Sequence, residues 1–266
     1  MMRSGSTFPL LVLLTWVLAA LGAPLFSLTP NEVGLQRILE PPGAVAWFGF
    51  DDLGRPLFDR LIAGAQSSLL VAAAVVTSSA LIGILVGLLA GYLGGWVDLL
   101  LVRLIDVFLA FPGILLAIAL AAVMGPGLDN LIIALAAVGW VGYARLARAQ
   151  ALSLRQREYV TAAIALGSRT PYILLHHLLP LMSAPLIIEA TFGVAGVVVA
   201  EAGLSFLGLG VQPPDASWGN MIRDGAGYML VAPHMVLAPG LAMSLVVLSL
   251  NLLGDQLRDR LDSRAI

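Results

Sequence analysis

Apolar residues in this chain come in long blocks, without the strict alternation of a half-buried strand or the narrow apolar stripe of a soluble surface helix. About 20 such residues cross about 30 Å of hydrocarbon as a helix, so each block reads as a membrane span. Six blocks qualify: residues 8–28, 69–92, 99–123, 131–147, 181–209 and 233–253. The third contains Pro112. In the second, Gly83, Gly87 and Gly91 recur every four residues, which puts them on one helix face where another helix can approach closely.

Three stretches interrupt the pattern. Residues 29–67 mix Pro30, Pro41 and Pro42 with Asp51, Asp52, Arg55, Asp59 and Arg60, which predicts an aqueous segment ending in an amphipathic helix. After the fifth block, VQPPDASWGNMIRDGAG carries Pro213-Pro214 and several glycines, so no continuous helix is expected there. Residues 148–180 form a polar island between spans four and five. Such a connection is long against the ~2–8 residues usual in bundles, so it is expected to be structured or to bind something. Within it Tyr159, Ala162, Ala163, Leu166 and Gly167 fall on one face of a helix, and Pro171 starts a second helix expected to end at Pro180.

The fold class is therefore all-α integral membrane, with six spans. Residues 1–67 form an N-terminal transmembrane helix and an extracytoplasmic segment, and residues 68–266 form a core of five spans. The first block, behind Arg3, also suits a signal peptide with small residues from Ala19 to Ala23. Its length exceeds the usual ~7–15 residues of a signal core and favours a retained helix.

Composition agrees, with 59% hydrophobic and 11% charged residues among 266. All fourteen basic residues are arginine. With the N-terminus inside, ten of them face the cytoplasm: Arg3, Arg103, Arg145, Arg148, Arg155, Arg157, Arg169, Arg258, Arg260 and Arg264. Both termini are then cytoplasmic, as is the island.

The chemistry open to such a chain is narrow. Without cysteine there is no disulfide, thiolate metal site or Cys nucleophile. Without lysine no Walker A sequence exists, so ATP must be hydrolysed elsewhere. The net charge of −2 gives no general attraction to nucleic acid. Ser78, Ser79, Ser244 and Ser249 lie in spans with no histidine nearby and read as packing or hydrogen-bonding residues. Adjacent His176 and His177 point about 100° apart on a helix and cannot share a metal as an i, i+4 pair would, so no metal site and no cofactor is expected.

Four charged residues inside or beside spans are candidates for a translocation path. Arg103 and Asp106, three apart, suit either a structural ion pair or contact with a solute. Glu189 and Glu201 stand in the apolar fifth span, about 18 Å apart along a helix. Each is either a path residue or a hydrogen-bonded acid at a helix interface.

The island also carries a resemblance. TAAIALG followed by HLLP resembles the cytoplasmic loop of permease subunits of ABC importers, with Ala162, Ala163, Gly167, Leu179 and Pro180 matching that loop's pattern. Thr161 replaces its glutamate and His177 its isoleucine; Glu158, one turn earlier, is the nearest carboxylate. FGFDDLGRPLFDRLIAGAQSSL, RLIDVFLAFPGILLAI, AEAGLSFLGLGVQPPDASWGNMI and NLLGDQLRDRLDSR are similar, in order, to stretches of the dipeptide, oligopeptide and nickel branch. In the first of these Phe50, Pro56, Asp59 and Gln66 depart from the branch pattern.

The resemblance implies a type I importer fold with a coupling helix between spans four and five. It also implies a non-catalytic pore subunit in a bacterial cytoplasmic membrane, working by alternating access. Its partners would be a second homologous permease, two ABC ATPase subunits, an extracytoplasmic solute-binding protein and membrane lipid, with no nucleic acid. The alternative is a carrier driven by an ion gradient through Glu189 and Glu201, against which no inverted repeat is visible.

Overall fold

The computed structural model of the chain describes residues 7–44 and 46–262. Arg3 and Arg264, two of the arginines that set the orientation, lie outside them. In chain order the helices are α1 (Thr7–Gly22), α2 (Leu57–Leu93), α3 (Gly95–Leu109), α4 (Gly113–Met124), α5 (Leu128–Leu154), α6 (Glu158–Ala165), α7 (Thr170–Ile173), α8 (Leu179–Phe206), α9 (Trp218–Ala226) and α10 (His234–Asp262). Among the described residues the only strand-like feature is an isolated bridge between Phe50 and Pro56. Five helical stretches are long and apolar enough to cross a membrane, and α3 with α4 makes a sixth.

That sixth candidate corrects the expected third span. α3 and α4 meet at 83° instead of forming one rod. Pro112 has no N–H to continue the ladder, and its own backbone, at φ −58° and ψ 122°, is not helical, so α3 ends before it and α4 starts after it. A second difference lies at α2. The amphipathic helix and the second span are one 37-residue element, about 55 Å long, that passes uninterrupted through positions 67 and 68.

The third difference is at Pro180, which does not end a helix. Residues Leu174–Leu178 widen into a π turn, in which the Leu179 N–H reaches the Leu174 carbonyl five residues back. The wider turn makes room for a proline ring that supplies no hydrogen. Helical structure therefore runs on from Thr170 to Phe206.

α2 stands at the centre. A Cβ on Gly83, Gly87 or Gly91 would collide with Trp140 O, Ala144 O or the Arg148 O and Ala151 Cβ of α5. The glycine spacing thus does what it predicted: it lets two backbones meet. Apolar side chains fill three larger clusters around this pair. One joins α1, α2, α8, α9 and α10 through Trp16, Leu57, Val198, Trp218 and Leu250. Another joins α4, α5 and α8 to α2 through Val71, Ala117, Leu131 and Leu204. The third fastens α6 and α7 to α5 and α8.

At the end of the bundle opposite α6, the polar segment before α2 and the loop after α8 form one cap. Arg60 donates to the carbonyls of Pro30 and Pro214 and lies 3.4 Å from Asp51, which also receives Arg55 at 2.6 Å. Trp218 Nε1 donates to Leu61 O, and α9 begins with a capping box between Ser217 and Asn220. Gly219 lies so close to Ala202 of α8 that no Cβ fits.

Candidate functional site

Most of the predicted site residues lie in two regions: the short helices beyond the spans and a pair of cavities between them. α6 is eight residues long and would be marginal alone. It is held by Val160 and Ala163, fully and almost fully buried against Ala147, Ala151, Ile173, Leu178 and Met182. The anchoring face is therefore Val160/Ala163. This differs from the expected single face: Tyr159, Ala162, Leu166 and Gly167 are exposed, together with Glu158 and Thr161, while Ala163 alone of that set faces inward. Leu166 and Ile164 are 87% and 53% exposed, an unusual display for apolar residues on a helix outside the spans.

α6 ends in a Schellman cap. The Ser168 N–H donates to Ala163 O and the Gly167 N–H to Ile164 O, with Gly167 at φ +82°. A Cβ there would meet nothing within 4 Å, so the left-handed backbone alone explains the glycine. On the α7 side, Tyr172 stacks on His176 at 4.4 Å and meets His177 edge-on at 5.7 Å, while Tyr159 lies 6.3 Å from His177. His177 thus helps tie α6 to the π turn. Leu179 packs inward and Pro180 is exposed. Below this hairpin, Arg148 makes a bidentate pair with Asp98 at 2.5 and 2.8 Å, linking α5 to α3. Arg155 donates to the Gly91 carbonyl at the end of α2.

The path candidates separate. Arg103 and Asp106 are both exposed and make no ion pair with each other, so of the two readings offered for them the structural pair is not formed. Asp106 instead lines a cavity of about 770 Å³ with Arg145, Gly142 and Glu189. A second cavity, about 580 Å³, lies between α2, α4, α5 and α8 and includes Ser79, Tyr143 and, again, Glu189. Glu189 therefore sits where the two meet. Glu201 lines neither. It is fully buried and accepts hydrogen bonds from Ser68 at 3.1 Å and Ser205 at 2.8 Å, the interface acid of the two readings offered for it.

From the sequence Ser79 reads as a packing or hydrogen-bonding residue, while nothing singles out Tyr143 or pairs Asp98 with Arg148. A signal existed for the latter, since an acid in the first turn of α3 and an arginine late in α5 both sit at span ends. Only folding brings them together.

Apolar helices traversing a membrane, cavities between them that converge on one carboxylate, and a short anchored hairpin outside the spans define a permease-type membrane subunit. Comparison with known proteins narrows the class. Residues 83–266 match the family described as binding-protein-dependent transport system inner membrane component. The chain is 43% identical over 256 residues to the dipeptide transport system permease protein DppC of Alkalihalophilus pseudofirmus, covering 96% of this chain and 84% of that one. It is 41% identical over 264 residues to the glutathione transport system permease protein GsiD of Escherichia coli, covering 99% and 86%. The fold is shared with the inward-facing MetNI methionine ABC transporter, with a TM-score of 0.61 at 21% identity over 77% of this chain and 97% of that one.

The chain belongs to the family of binding-protein-dependent transport system inner membrane components. It is a multi-pass protein of the inner membrane, and an ion-gradient carrier using Glu189 and Glu201 finds no support in this membership.

Proposed function

We propose that this chain is one of two non-identical pore subunits of an ATP-driven importer for peptides or a similar small solute. Its relatives carry names for dipeptide, peptide and glutathione transport, and a solute with a peptide backbone is the class these share. Both termini and the α6 hairpin face the cytoplasm, where two ATPase subunits bind. Residues 29–67 and 211–233, at the opposite end, receive the solute-binding protein.

The observation that carries this reading is the two-sided construction of α6. Its inner face is locked to α5 and α8 through Val160 and Ala163, while its outer face offers Tyr159, Ala162 and Leu166 with Glu158 and Thr161. A partner that grips the outer face and moves transmits that motion to two spans at once. Docking rests on shape at Ala162 and on the turn at Gly167, because Thr161 supplies no carboxylate. ATP hydrolysis belongs to the partners, and the path runs past Asp106 and Glu189.

The chain has no cysteine, so a single one reports unambiguously. In the purified complex, Ala162→Cys should cross-link to an ATPase subunit and Leu230→Cys, fully exposed at the other end, should not. Cross-linking of the ATPase at Leu230→Cys and not at Ala162→Cys would invert the orientation and remove α6 from the coupling.

A further inference from the structure

The 580 Å³ cavity is lined mostly by valine, glycine, alanine and leucine, yet three polar side chains from three helices border it, the hydroxyls of two of them tucked behind its wall. Ser79 of α2 and Tyr143 of α5 are 1% and 4% exposed, and neither hydroxyl has a hydrogen-bond partner. Glu189 of α8 is the one charged residue that lines it. Buried hydroxyls are almost always paired, so two unpaired ones in one cavity suggest acceptors kept for something that passes through.

The packing around them points the same way. Each polar atom lies against a glycine: a Cβ on Gly139 would fall 2.6 Å from Ser79 Oγ, one on Gly142 3.0 Å from Glu189 Oε1, and one on Gly193 2.6 Å from the Tyr143 hydroxyl. A methyl group at any of the three would push the polar atom aside. By contrast Ser78, one residue away, turns its hydroxyl onto the Ala74 carbonyl at 2.7 Å, the ordinary fate of a serine in a span. Ser79 has not taken that option.

A carboxylate with two hydroxyl acceptors in an apolar cavity complements a cation that brings its own N–H donors. Resting on the peptide reading above, we propose that Glu189, with Tyr143 and Ser79, receives the α-ammonium group of the solute on its way through the membrane. Glu189 also lines the 770 Å³ cavity on the α6 side, so the ammonium is handed on without leaving the carboxylate. Beyond it Asp106 and Arg145 face the same space, and Arg148 is already engaged by Asp98. The peptide's free amino end is thus selected in the path.

The test uses the complete complex in liposomes, with its solute-binding protein saturated by a labelled dipeptide or by the same dipeptide N-acetylated. The quantity read is the ratio of free-amino to acetylated uptake in each variant, so selection by the binding protein cancels. Glu189→Gln should lower this ratio about tenfold, the scale of one charge-assisted hydrogen bond. Glu189→Asp should recover part of it. Tyr143→Phe and Ser79→Ala should lower the ratio less, and Ser78→Ala should leave it alone. A ratio unchanged in Glu189→Gln, or uptake of both dipeptides falling equally as a purely structural role requires, overturns the inference. Uptake of neither dipeptide by the wild type instead overturns the peptide reading, and the inference with it.

Discussion

Gly167 gives the sharpest test of how the α6 hairpin is built. Its φ of +82° lies in the left-handed region, where a side chain adds about 1–2 kcal/mol of backbone strain. A Cβ there would touch nothing within 4 Å, so the penalty is conformational and not steric. Asparagine tolerates this region better than alanine, and a β-branched residue worse. The order of disturbance is therefore Asn, then Ala, then Val. A penalty of 1–2 kcal/mol shifts the balance between the capped and opened turn by a factor of about 5–30. Arg169, exposed two residues beyond the cap, offers a protease site that reports the opened form. Trypsin should cut there faster in the order Asn, Ala, Val, and solute moved per ATP hydrolysed should fall in the same order. If Gly167→Val is cut no faster than wild type, or if asparagine is the worst of the three, the cap does not hold the hairpin.

Other expectations follow from contacts already described. Gly87→Ala places a methyl against the Ala144 carbonyl and should destabilise the bundle by about 1–3 kcal/mol in thermal unfolding, whereas Gly240→Ala, with open space around it, should not. Glu201→Gln keeps the size, with its oxygen accepting from one serine and its amide nitrogen donating to the other hydroxyl, and should transport nearly normally; Glu201→Ala leaves hydroxyls unpaired and should lose about 2–4 kcal/mol of stability. Loss of transport in Glu201→Gln at wild-type stability would return Glu201 to the path. The Arg148–Asp98 pair is partly exposed, so a double-mutant cycle should give about 1 kcal/mol or less, shrinking with salt. Burial, and then the neighbouring charge of Asp51, raise the Asp52 carboxyl above its usual pKa. Its ionisation therefore opposes folding of the cap at neutral pH and stops doing so as pH falls through the raised value. Asp52→Asn should raise thermal stability at pH 7 and make no difference in strong acid.

How much of this was legible depended on the range of the interaction. Span positions follow from apolar run length, a local property, and so did the close approach at Gly83, Gly87 and Gly91. The residues matching the importer loop were legible as a motif, but their faces were not. Val160 was overlooked, although it and Ala163 are three apart, because small residues at 162 and 167 suggested a different stripe. Pro112 and Pro180 carried the same local signal and had opposite outcomes. At Pro112 the chain turns by 83°, while at Pro180 the π turn absorbs the ring. The difference lies in packing: Leu174, Leu178 and Met182 are buried on both sides of Pro180 and hold the helix together, while Ala110 to Gly113 are exposed. Arg103 and Asp106 had ideal spacing for a pair, yet they make none, and Asp106 borders the larger cavity instead. Spacing shows which residues can meet, and the neighbours decide whether they do.

Uptake in liposomes bears most directly on the central claim, that the spans are driven through α6 by ATPase partners. Vesicles holding the full complex, with the loaded solute-binding protein outside and all ion gradients collapsed, should accumulate a labelled dipeptide only when ATP is supplied to the ATPase side. Uptake that needs no ATP and follows an imposed proton or sodium gradient would contradict the account.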